Sequence, residues 1–248
     1  MNFRLEICVD SPDSAITAQR AGADRVEYCD NLTEGGTTPS NGAIAAARYN
    51  LTIGLHVLIR PRGGDFLYSD PEFDIMRRDI DICGEYGVNG IVAGILRADG
   101  HIDVERTARL FEFAYPMAAT FHRAFDMCED PFRGLEDVIA TGATRLLTSG
   151  MKNSAVEGLE LIRNLVLQAR DRIIIMPGGG IKANNVAKVV SLTKAEEIHL
   201  TGRKTIESEM MFRREGIQMG GIKGIPEFSR KVADEEEIKK IVEILKMI

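Results

Sequence analysis

Short runs of apolar, β-branched residues recur along the chain every 25 to 35 residues or so, and patterns of helical period separate them. The first run, Leu5–Val9, leads into "SPDSAITAQRAGA", where Ser11 is placed to cap a helix, Pro12 opens it and Gly22 closes it. Further strands are expected at Val26–Cys29, Thr52–Ile59, Gly90–Ile95, Ala118–His122, Arg145–Thr148, Arg172–Met176 and Glu197–Leu200. The intervening helices fall near Asn41–Arg48, Pro71–Tyr86, Val104–Phe113, from Asp130-Pro131, Ser154–Ala169 and Asn184–Ser191. The last helix is "DEEEIKKIVEILKMI", whose acidic start and later lysines suit the helix dipole. Crossovers of this length imply parallel pairing, and eight β/α units in 248 residues predict one (β/α)8 TIM-barrel domain spanning 1–248. A doubly wound open sheet is the alternative. Arg203–Val232 falls outside the repeat and reads as a long loop before the C-terminal helix.

Alternation within the strands then assigns faces. In a barrel the apolar set must meet the helices, so Leu5, Ile7 and Val9 point outward and Glu6 and Cys8 inward. By the same parity Glu27 and Cys29 point inward, as do His56, Leu58 and Arg60, Thr120 and His122, and His199 and Thr201. Barrel interiors are ordinarily filled by branched apolar residues, so a lining this polar needs internal partners or a ligand. One reading is a structural network in which Arg60 neutralises Glu6 and Glu27. The other is a pocket at the C-terminal strand ends, where barrel active sites lie.

Composition narrows the function classes. With 37 acidic and 31 basic residues, a net charge of −6, the chain lacks the basic footprint of a nucleic-acid binder. No apolar run approaches the roughly 18 residues of a membrane span, and the start lacks a secretory h-region. Cysteines at 8, 29, 83 and 128 show no CxxC and no disulfide-style spacing, which suits a reducing, cytoplasmic compartment.

Two chemistries are open on these residues. Cys8 and Cys29 end neighbouring strands, about 4.8 Å apart in a sheet, and could hold a soft ion such as Cu(I), or simply pack as small hydrophobes. Cys128 reaches such a site only if its loop folds inward, Cys83 belongs to a helix core, and Met210, Met211 and Met219 suit packing or an interface. Alternatively, the barrel is an enzyme or binding protein for a small anionic metabolite, phosphorylated or not. Glu6, Glu27 and His122 would then handle protons. Arg60, Arg62, Arg123 and Asp126 would shape an anion site, although Arg123 and Asp126 also suit a rim salt bridge. Gly178, Gly179 and Gly180 after the seventh strand, and Gly202 and Arg203 after the eighth, occupy the usual phosphate-loop positions of barrels. Phe66 and Tyr68 could cover the mouth, and His101 sits in a solvated turn.

"LEICVDS", "GADRVEYCDNLTEGGTTPS", "IRPRGGDFLYSD", "TFHRAFDM", "LTSG" and "IIIMPGGGI", in this order over nearly the whole chain, resemble the CutC copper homeostasis protein family. The resemblance implies a cytoplasmic TIM barrel, often a homodimer, with a role in copper handling. It aligns Cys8 and Cys29 with the family's cysteine positions and assigns the loop around Met211–Arg213 to dimer packing. Thr201-Gly202-Arg203 stands where the family tends to show Ser-Ala-Arg.

Overall fold

A computed structural model describes residues 3–220 and 224–248, so three positions of the long excursion, 221–223, lie outside the described residues. Eight strands run parallel around a barrel: β1 Arg4–Val9, β2 Arg25–Tyr28, β3 Gly54–Leu58, β4 Gly90–Ala93, β5 Ala118–Phe121, β6 Arg145–Thr148, β7 Ile174–Pro177 and β8 Glu197–Leu200. They pair in sequence order, β8 pairs with β1, and a parallel bridge between Gly178 and His199 joins β7 to β8. Helices α1 Pro12–Arg20, α2 Asn41–Asn50, α3 Asp70–Glu85, α4 Val104–Ala114, α5 Pro131–Ala140, α6 Leu159–Ala169 and α7 Val186–Thr193 alternate with them. This is the (β/α)8 architecture that the repeat predicts.

Local signals explain the boundaries. Ser11 caps α1 through the Ser14 amide, Asp130 caps α5, and Ser69 with Glu72 forms a reciprocal capping box on α3. At α6 the helix begins five residues later than the pattern suggests. Ser154 Oγ donates to Glu157, and Gly158 packs with its Cα 2.8 Å from where a Cβ on Gly150 would lie, so 154–158 form turns.

The excursion is not simply a loop. Its ends form an antiparallel ribbon, β9 Arg203–Glu207 with β10 Ser229–Ala233, before α8 Glu235–Met247. Asp234 caps α8, three glutamates occupy its first turn and Lys246 its last.

Parity holds. Leu5, Ile7, Val9, Val26, Tyr28, Leu55, Val57 and Ile59 belong to the large buried cluster between strands and helices. Cys8, Cys29, Leu58 and Val92 form a separate small cluster on the barrel axis.

Candidate functional site

The inward-facing residues fall into two tiers. The lower tier is ionic. Arg25 Nε lies 2.5 Å from Glu6 Oε2, and its Nη2 lies 2.7 Å from Glu197, which also receives Arg145 at 2.8 Å. Glu6 is fully buried and additionally meets His199 Nδ1 at 2.7 Å. Burial alone would raise the pKa of Glu6. Arg25, then the His199 hydrogen bond and charge, outweigh it and hold Glu6 well below the carboxylate range. His56 lies 3.8 Å from Glu6, yet burial, with Arg25 and Arg145 nearby, lowers its pKa to about 4, so it is neutral near pH 7.

This tier corrects the expected neutralisation of the glutamates by Arg60. Arg25 neutralises Glu6, His199 meets both Glu6 and Glu27, and Arg145 holds Glu197; Glu6 lies beneath the cavity, not on its lining. Arg25 and Glu197 share parity with Glu27 and His199, so the same alternation rule could have found them.

The upper tier opens at the C-terminal strand ends into a cavity of about 760 Å³. Cys8, Glu27 and His199 line its floor with ligand-type atoms within 4.8 Å of one another, and Cys29 Sγ lies 3.6 Å from Cys8 Sγ, off the lining. Both thiols are held protonated. The Cys29 contact and burial push Cys8 well up; at Cys29 burial and the Glu27 charge outweigh the favourable contact with Cys8. His199 Nε2 sits 3.7 Å from Glu27, and despite burial, Glu27, Cys8 and Glu6 raise the imidazole pKa well above its usual value. Glu27 is itself raised, by burial first and by Glu6, against the pull of His199. The floor is therefore a thiol pair beside an imidazolium. Gly178 allows this approach, because a Cβ there would meet Leu147 at 2.5 Å and the His199 ring at 3.1 Å.

The walls distribute the remaining candidates. Arg60 is buried and donates to the carbonyls of Glu34, Gly36 and Gly64 at 2.9, 2.6 and 2.8 Å, and its guanidinium stacks over Phe66 at 5.1 Å. His122 accepts from the Ala124 amide through Nδ1 at 3.2 Å, and its ring lies 5.0 Å from Phe66. Burial, then the Arg60 charge, lowers its pKa to about 3, so the residue is a neutral N–H donor through Nε2 and not a proton acceptor near pH 7. Arg123, Gly179, Gly180, Gly202 and Arg203 reach the cavity.

Arg123 and Asp126 pair at 2.7 Å. Asp126 also takes bonds from Thr148, Ser149 and Met151, which makes it a clamp between the β5 and β6 loops. Arg62 turns away to Glu72 and Asp65, off the cavity lining, which corrects its expected place beside Arg60. Cys128 packs in the outer core and Cys83 inside α3. His101 meets Glu129 and Arg133, and Met211 and Met219 project from the excursion into solvent.

The sequence model of the CutC family matches residues 3–204. The chain belongs to the CutC family. It is 49% identical over 245 residues to the family protein CutC of Chromobacterium violaceum, covering 99% of both chains. It is 46% identical to the human copper homeostasis protein cutC homolog, covering 99% of this chain and 90% of the relative. A crystal structure of CutC from Streptococcus agalactiae superposes with a TM-score of 0.77 at 37% identity, covering 80% of this chain and 98% of that one. Phosphoribosylanthranilate isomerase from Thermotoga maritima shares the fold at a TM-score of 0.60 and 14% identity. Among the described residues of this CutC chain, no helix is long and apolar enough to cross a membrane.

Proposed function

We propose that this chain serves copper homeostasis by binding Cu(I) at the floor of the barrel mouth. The observation that carries the reading is the 3.6 Å approach of Cys29 to Cys8, which itself lines the cavity. Cu(I) selects soft sulfur donors, and two thiolates on one monovalent ion leave a net negative charge. The His199 imidazolium, drawn to Glu27 and Cys8, lies where it would balance that charge. Relatives named for copper homeostasis support the same cargo.

Anaerobic titration with Cu(I) against a competing chelator tests this. Wild type should take up one ion per chain, and Cys8→Ser/Cys29→Ser should lose it. Equal affinity in the double variant would end the reading.

A further inference from the structure

A single ion leaves most of the cavity unused. Its volume, about 760 Å³, falls in the range of small-molecule pockets, roughly 300–1,000 Å³. Two of its wall groups are also incomplete. His122 is 5% exposed, and its Nε2 has no hydrogen-bond partner. Because Nδ1 accepts the Ala124 amide, the ring proton sits on Nε2, so the orphan is a buried donor. Arg60, also 5% exposed, has an unpartnered Nε.

The charge on Arg60 is incomplete in a second sense. It donates to three backbone carbonyls and has the Tyr68 hydroxyl beside it, and among the described residues no carboxylate lies within ion-pair distance of it. By contrast, Arg25, Arg145 and Arg123 each hold a carboxylate. A buried cation without an anion is costly, and an orphan buried N–H adds to that cost. Both groups flank one ring: His122 at 5.0 Å from Phe66 and Arg60 at 5.1 Å over it. The mouth is mixed in charge, with Lys182 and Arg203 beside Glu34, Asp234 and Glu237 and with Arg203 3.8 Å from Asp10, and Leu32, Leu147 and Ile181 supply apolar wall.

We propose that this cavity binds a small organic molecule through an oxyanion head, received by His122 Nε2–H and Arg60 Nε–H beside the Phe66 ring, at a subsite separate from the thiol pair. A carboxylate and a phosphate monoester share that chemistry. Either would supply the counter-charge Arg60 lacks and the acceptor His122 lacks, while the body of the molecule fills the apolar wall.

Isothermal calorimetry on the full chain distinguishes the sources, with pyruvate and malate in one arm and glycerol 3-phosphate in the other. One arm should show saturable binding. His122→Asn and Arg60→Lys should each weaken it about tenfold or more, the scale of one hydrogen bond to a charged group. Circular dichroism melts confirm that both variants fold, and Arg60→Lys keeps the charge while removing the Nε donor. Cys8→Ser/Cys29→Ser should keep this binding, and His122→Asn should keep Cu(I), so either reading can fail alone. No saturable binding in either arm, or binding indifferent to both wall substitutions, overturns the proposal.

Discussion

Arg25 and Glu6 form an ion pair at 2.5 Å on adjacent strands, with side chains only 7% and 0% exposed. The pair anchors more than itself. Glu6 holds His199 from below, and His199 reaches the thiol floor from the same ring. Breaking a buried pair by removing one partner strands the other charge and costs about 3–5 kcal/mol. Arg25→Met should therefore lower stability by about that amount in urea unfolding. It should also loosen His199, seen as a shift in its ring NMR signals. A loss below about 1 kcal/mol, the scale of an exposed pair, would contradict the network.

The same groups set a pH optimum for stability. His56 and His122 fold with pKa values of about 4 and about 3, below the unfolded value of 6.5. As pH falls below 6.5 the unfolded chain binds protons that the folded chain refuses, and stability drops by about 1.4 kcal/mol per pH unit for each ring. Glu6, held below 4.5, adds a loss at still lower pH. His199 has the opposite sign. Its raised folded pKa gives stability that is full below 6.5 and lost as pH rises towards that folded value. Urea midpoints from about pH 4 to about pH 9 should peak near pH 6.5. His199→Asn should flatten the alkaline limb. Stability still rising between about pH 7 and pH 8.5 would contradict the assignment of His199.

The legibility of this site in the sequence follows from what strand parity can and cannot reach. Period-2 alternation places Cys8, Glu27, Cys29, His56, His122 and His199 inside the barrel, because the apolar positions between them must face helices. It applies equally to Arg25 and Glu197, but Arg25 is a polar first residue that falls just outside the apolar run marking its strand, and Glu197, though within its run, is the first residue of a four-residue strand. Height along the axis is the harder quantity. Arg60 has inward parity yet sits past the end of β3, where carbonyls of two loops reach it before any carboxylate does. Arg62 lies in a loop and Asp126 in a short 3-10 turn, where no strand or helix period applies, and besides the local pairs Arg62–Asp65 and Arg123–Asp126 their partners come from residues 10 and 22–25 positions away. The β9–β10 ribbon is polar and half exposed, so it lacks the apolar alternation that marks a strand.

Metal uptake at the cavity floor should release protons. Both thiols are held protonated at neutral pH, so thiolate binding of one Cu(I) displaces two protons. The apparent affinity should then rise about hundredfold per pH unit below the thiol pKa values. Chelator competition at several pH values gives this slope directly. A slope near zero would place the ion on ligands other than Cys8 and Cys29.

Gly94 offers a test of the wall that leaves the floor alone. A Cβ there would lie 2.8 Å from His122 Nδ1 and 3.0 Å from Phe121, so Gly94→Ala must push the imidazole off the Ala124 amide. Overpacking of this kind costs about 1–3 kcal/mol. Gly42→Ala is the matched control, since a Cβ there, in the first turn of α2, meets nothing within 4 Å. It should be neutral or stabilising by up to about 1 kcal/mol. Gly94→Ala should weaken oxyanion binding at His122 while Cu(I) affinity at Cys8 and Cys29 stays at the wild-type value. Loss of both together would mean that wall and floor move as one unit, and equal retention of both would mean that the His122 ring does not receive the ligand.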